Sequence, residues 1–163
     1  MIGVAFLSFH LNAQNMKDPG NVVTQLFVST DQRDWSTVEK CFTSSVLLDY
    51  SSMTGAPSTT LSPYELISNW KGILPGFEST HHQIGNFLIS QEGSAAEVFC
   101  YGTASHFLND DAGSIWTVVG SYNFRLTSLP DGTWQISEMK FNFKYQTGNT
   151  SLAEKAMLAA NKK

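Results

Sequence analysis

Cysteine is scarce: Cys41 and Cys100 are the only two in 163 residues, and they fall in segments that read as a helix and a strand. Neither a disulfide framework nor a four-ligand zinc site can be built from them, so they read as small buried hydrophobes. Clustered positive charge is missing too. The 10 Lys and Arg are scattered against 14 Asp and Glu, for a net charge of -4. That leaves no electrostatic footprint for a phosphate backbone or an anionic membrane surface, and nucleic acid is not expected as a partner. Long apolar runs are absent after the first residues, so no integral membrane association is expected. Ile2 to Leu11 is one short run, followed by Asn12, Ala13 and Gln14, as at the end of a secretory signal peptide. The basic segment that should precede it is lacking, since the first Lys or Arg is Lys17, and the run is too short to span a bilayer. Two readings of residues 1–17 stand: a signal-peptide remnant of an exported (periplasmic or secreted) protein, or an N-terminal extension packed on the domain of a cytoplasmic one.

What is present suffices for one core and not for two, with 42% hydrophobic and 12% aromatic residues. Asp18-Pro19 opens a helix in which Val22, Val23, Leu26 and Phe27 recur at helical spacing, ending near Thr30 or Asp31. A second helix starts at Asp34, with Trp35, Val38 and Phe42 on one stripe. Ser45 to Tyr50 reads as a strand and Ser51 to Thr60 as a loop. Ser62-Pro63 with Glu65 opens a third helix, closed by Pro75-Gly76.

From Thr80 the period changes to two. Four long strands follow, Thr80–Ser90, Ala95–Leu108, Ile115–Leu129 and Thr133–Tyr145, joined by short turn-rich links that predict an antiparallel meander. In the last strand Trp134 and Ile136 share one parity and Met139, Phe141 and Phe143 the other, which predicts a bulge near Ser137-Glu138. The result is an α+β domain over residues 18–148, three N-terminal helices on a strongly curved antiparallel sheet, with residues 149–163 as a C-terminal helix or tail. A hollow closed by helices is where small ligands bind.

His81 and His82 are adjacent on a strand, so only one can enter the hollow, and parity does not choose between them. His106 shares a face with Ala104, Gly102 and Cys100, small residues that leave volume before an imidazole. Ser121, Asn123, Arg125 and Thr127 form a polar stripe that suits either solvent or a polar cavity. A metal site from His82, His106 and Asp31 has suitable ligand types but no supporting local spacing, and no GxSxG elbow is present, so neither a metal centre nor a serine hydrolase is assigned.

Asp31-Gln-Arg-Asp34-Trp35, a strand ending Leu48-Asp49-Tyr50, Thr80-His-His82-Gln-Ile84-Gly85, His106, Ser121-Tyr-Asn123 and Asp131-Gly132-Thr-Trp134 occur in an order that resembles SnoaL-like and scytalone-dehydratase-like proteins of the nuclear-transport-factor-2-like superfamily. The resemblance spans roughly residues 20 to 146. It implies the cone fold of that superfamily, with a homodimer through the outer sheet face. It places the catalytic histidine on His82 and the second on His106. Asp31 is then the helix aspartate bonded to that second histidine, and Tyr50 the tyrosine acting on a substrate carbonyl. Ser121 and Asn123 become substrate contacts, with Thr30 and Arg125 completing the candidate binding set; Thr30 stands where scytalone dehydratase has a second tyrosine. In this reading Asp31–His106 is a poised acid and His82 the base. The expected function is a cofactor-free dehydratase, isomerase or cyclase acting on a small, largely apolar carbonyl compound. The alternative is a non-catalytic ligand-binding or dimerisation module of the same fold.

Overall fold

The computed structural model describes residues 16–162, so the apolar run at Ile2 to Leu11 lies outside the described residues. Helix α1 (Pro19–Asp31) is started by Asp18, whose carboxylate accepts from the Asn21 amide at 2.9 Å, and by proline in its first turn. It buries Val22, Val23, Leu26 and Phe27. Arg33 follows in the left-handed region, φ 60°, which turns the chain sharply into α2 (Trp35–Lys40), capped by Asp34. Helix α4 (Pro63–Lys71) carries a complete capping box between Ser62 and Glu65 and leads into a 3-10 turn at Leu74–Gly76.

Strand β1 spans Phe42–Asp49, beginning earlier than its β-branched centre suggests because buried Phe42 pairs with Ile136. The expected loop at Ser51 to Thr60 contains two short elements. One is the single turn α3 (Ser51–Thr54), stopped by Gly55 at φ 74° and pinned where the Ser52 hydroxyl donates to the Phe141 carbonyl (2.6 Å) and accepts from the Phe143 amide (2.9 Å). The other is β2 (Thr59–Leu61), paired antiparallel with β1. These are tertiary effects that local composition does not carry.

The meander β3 (Ser79–Glu92), β4 (Ala95–Phe107), β5 (Ile115–Ser128) and β6 (Trp134–Gly148) is antiparallel, and the sheet order is β2-β1-β6-β5-β4-β3. The sheet is mixed rather than antiparallel throughout, because β1 joins β6 in parallel. No hairpin links those two strands, so nothing local dictates their direction. The predicted bulge is there: Arg125 faces Glu138 and Leu126 faces Ile136, leaving Ser137 extra. A second irregularity lies on β3 between Gly85 and Leu88, where Asn86 has φ 56°. These shifts bend the sheet so that the even-numbered side chains of β4 and β5 close around α1. Helix α5 (Leu152–Ala160) buries Leu152 and Ala156 and docks on the 3-10 turn so tightly that a Cβ at Gly76 would lie 1.8 Å from the Ala156 carbonyl oxygen. Among the described residues no helix is long and apolar enough to cross a membrane.

Candidate active site

Between α1, α3, α4 and the concave face of the sheet lies a cavity of about 140 Å³. Its walls are Phe27, Trp70, Trp116, Phe141 and other apolar side chains, and its polar groups are on Thr30, Tyr50, His82, His106 and Tyr122. The strand alternation that sequence could not resolve is thus settled for His82, and His81 points outward.

Strand β3 is the last of the sheet, so its outward backbone N–H groups have no neighbouring strand. Asp31, at the end of α1, covers that edge. Its Oδ2 accepts from the His82 amide at 2.7 Å, while its Oδ1 meets His82 Nδ1 at 2.7 Å and accepts from the Thr80 hydroxyl at 2.8 Å. The left-handed turn at Arg33 sends its guanidinium back over the same point. Nη1 donates to Thr80 Oγ1 (2.8 Å) and the Thr30 carbonyl (3.0 Å), and Nη2 to the Leu74 carbonyl (2.7 Å). Burial alone would raise the Asp31 pKa, but the hydrogen bonds and charge interaction with His82, with help from Thr80, outweigh it and hold the carboxyl below its ordinary value. An ionised carboxylate can only accept, so His82 Nδ1 carries a proton toward Asp31 and Nε2 is the ring nitrogen left for other partners. Phe27 stacks on that ring, centroids 5.2 Å apart, and fixes its plane.

The pairing of Asp31 with His106 expected from sequence is therefore not formed. His106 sits one strand inward, on β4, while the carboxylate is consumed at the β3 edge. Instead His106 Nδ1 faces the Trp116 carbonyl at 3.3 Å, and its ring is stacked on Trp116 (4.7 Å) and packed on Phe77 (4.8 Å). The Trp116 indole is held in turn by a 2.9 Å hydrogen bond to Gln146. Burial, reinforced by the nearby His82, pushes the His106 pKa down to about 4, so this imidazole is neutral near pH 7 and is not the poised acid. The two histidine rings lie edge to face with centroids 6.1 Å apart.

Tyr50 lines the cavity, and burial, opposed in part by Trp70, raises its hydroxyl well above the ordinary phenol value. Thr30 also lines it, but its hydroxyl donates to the Leu26 carbonyl of its own helix at 2.7 Å. Ser121, Asn123 and Arg125 do not line it. They occupy the odd-numbered face of β5, while Tyr122 and Phe124 take the inner one, so the polar stripe is the outer face of the sheet. There Asn123 accepts from Asn142 at 2.7 Å and Arg125 bridges Glu97 (3.3 Å) and Glu138 (3.5 Å) beside a second cavity of about 550 Å³. Arg33, Thr80 and Tyr122 belong to the site although no local pattern marks them, and all three lie inside the motifs that carry the resemblance. Among the described residues no group of three or more His, Cys, Asp or Glu is placed to hold a metal ion.

A family model described as a SnoaL-like domain matches residues 20–140. Among curated proteins no match is found. A solved protein of Kribbella flavida is similar over 88% of this chain and 99% of its own, at 21% identity and TM-score 0.79. A Novosphingobium aromaticivorans protein named for scytalone dehydratase is similar over 83% of this chain and 88% of its own, at 17% identity and TM-score 0.69. A hexachlorocyclohexane dehydrochlorinase is similar over 79% of this chain and 84% of its own, at 12% identity and TM-score 0.65. At these identities the likeness is one of fold.

Proposed function

The chain belongs to the SnoaL-like domain family, and from that premise and the geometry of its cavity we propose that it is a cofactor-free acid–base enzyme of lyase or isomerase type. Its substrate is a small, largely apolar carbonyl compound. The observation that carries this reading is the His82–Asp31 contact at 2.7 Å on the wall of a largely apolar cavity. His82 Nε2 takes a proton from the carbon beside the carbonyl, and the imidazolium that forms is stabilised by Asp31. Electron density moves to the carbonyl oxygen, where the Tyr50 hydroxyl donates to it. The imidazolium then returns the proton, to a departing hydroxyl in an elimination or to another carbon in an isomerisation. One histidine serves as base and then as acid, which suits a site whose second histidine stays neutral. His106 stands beside it on the neighbouring strand. Kinship in fold to a dehydrochlorinase and to a protein named for a dehydratase supports an elimination.

The test is turnover and carbon–deuterium exchange in D2O for a panel of cyclic ketones and β-hydroxy ketones. His82→Ala is expected to lower the rate by roughly a hundred- to ten-thousand-fold. If His82→Ala and His106→Ala both leave every substrate's rate unchanged, the chain is a binding module and not an enzyme. The proposal extends to a homodimer through the outer sheet face, supported by exposed Leu88 and Tyr101 there. A monomeric mass in solution would remove that part alone.

A further inference from the structure

One cavity side chain has a polar group that the acid–base reading leaves unused. Tyr122, on β5, lays its ring over Gly102 of the adjacent strand, where an added Cβ would meet Tyr122 Cε2 at 2.3 Å. Phe27 and Phe141 hold the same ring, each with centroids 4.9 Å away. The ring's direction is therefore set by packing, and the volume opened by Gly102 belongs to Tyr122. Its hydroxyl bonds to no protein group among the described residues. Yet no buried side-chain polar atom among them is left without a partner, so this hydroxyl reaches the open space of the cavity that Tyr122 lines. Burial keeps it protonated by raising its pKa well above the ordinary phenol value.

The rest of the cavity limits what the hydroxyl can meet. Among the described residues no Lys or Arg lines it, and the Arg33 guanidinium is committed to two carbonyls and the Thr80 hydroxyl. A carboxylate would lose its hydration there with no cation in return. A volume of about 140 Å³ corresponds to one six-membered ring; an apolar cavity of roughly 150 Å³ is known to take up benzene.

We propose that Tyr122 is a substrate-binding residue whose hydroxyl donates a hydrogen bond to the oxygen of an uncharged, single-ring ketone or enone enclosed by the aromatic walls. This names the substrate class of the site and rests on the acid–base reading only for which carbon faces His82; binding itself requires no turnover.

The probes are cyclohex-2-enone, oxygen-free cyclohexene and anionic cyclohexanecarboxylate, each titrated by amide NMR shifts against the wild type and Tyr122→Phe. The variant keeps the ring over Gly102 and removes one hydrogen bond. Enone binding should weaken about tenfold, cyclohexene binding should not change, and the carboxylate should bind neither protein. The ligand-free Tm of Tyr122→Phe should equal or exceed that of the wild type, since no protein hydrogen bond is lost. Equal enone affinity in the two proteins, no enone binding by the wild type, or carboxylate binding as tight as enone binding overturns the proposal. His82→Ala separates the two readings. If it turns substrates over normally while Tyr122→Phe still weakens the enone, the acid–base reading fails and this one stands.

Discussion

The two walls of the cavity each carry a histidine, and the histidines differ in almost everything except residue type. On the α1–β3 wall His82 touches an ionised carboxylate that a threonine and an arginine brace from behind. On the β4–β5 wall His106 touches a backbone carbonyl and two aromatic faces. The difference teaches that position in the sheet decides the chemistry. An edge strand exposes backbone donors that attract a carboxylate, and the interior strand offers only rings and saturated amides. Asp31→Asn is the most severe way to break this contrast. An amide can donate to His82 Nδ1 and so favour the wrong tautomer, leaving His82 no base nitrogen toward the substrate. Turnover should fall by roughly a hundred- to ten-thousand-fold while the protein stays folded. A loss confined to KM would show that Asp31 only shapes the pocket.

The second contrast lies in acid. His106 has an ordinary pKa of 6.5 when exposed and one of about 4 in the fold. A group whose folded pKa is depressed in this way binds more protons unfolded than folded between those values, so stability falls as pH drops through that window. Its contribution is complete above about pH 6.5, and below about pH 4 the loss reaches its limit, on the order of 3 kcal/mol. Gln in place of His106 keeps a donor for the Trp116 carbonyl and cannot titrate. Unfolding free energies from urea titrations at pH 7.5 and 4.5 should differ for the wild type by roughly 2 kcal/mol more than for His106→Gln. Parallel behaviour of the two proteins would mean that His106 is hydrated rather than enclosed.

How far this was legible depended on whether the signal was local. The helix caps at Asp18, Asp34 and Ser62, the period-two strands and the phase slip at Ser137 are written in neighbouring residues, and the structure has each of them. The parallel β1–β6 pairing and the short elements α3 and β2 depend on contacts from Phe42, Ser52 and Thr60 to residues far along the chain. The same limit governs the site. His82 and Asp31 were visible as residue types, but which histidine the aspartate reaches follows from β3 being the sheet edge. Ser121, Asn123 and Arg125 illustrate the ambiguity of alternation, which separates two faces without saying which is inside. Tyr122 was the residue between them.

The smallest change that sharpens the contrast is at Thr80. Its hydroxyl stands between Arg33 and Asp31, accepting from one and donating to the other, 2.8 Å on each side. Thr80→Val is close in shape but leaves Asp31 with one donor fewer and one guanidinium N–H without its hydroxyl partner. Stability should fall by about 1 kcal/mol. Because the Thr80 hydrogen bond is among the causes holding the Asp31 pKa down, its loss moves that pKa upward, and the acid limb of kcat/KM should move upward with it. A few-fold loss in rate near pH 7 accompanies the shift if His82 is less firmly oriented. Thr80→Ser keeps the hydroxyl and should restore the acid limb even where some packing is lost. If the Val and Ser variants share one pH profile, the hydroxyl relay is structural only, and Asp31 orients His82 without help from the arginine behind it.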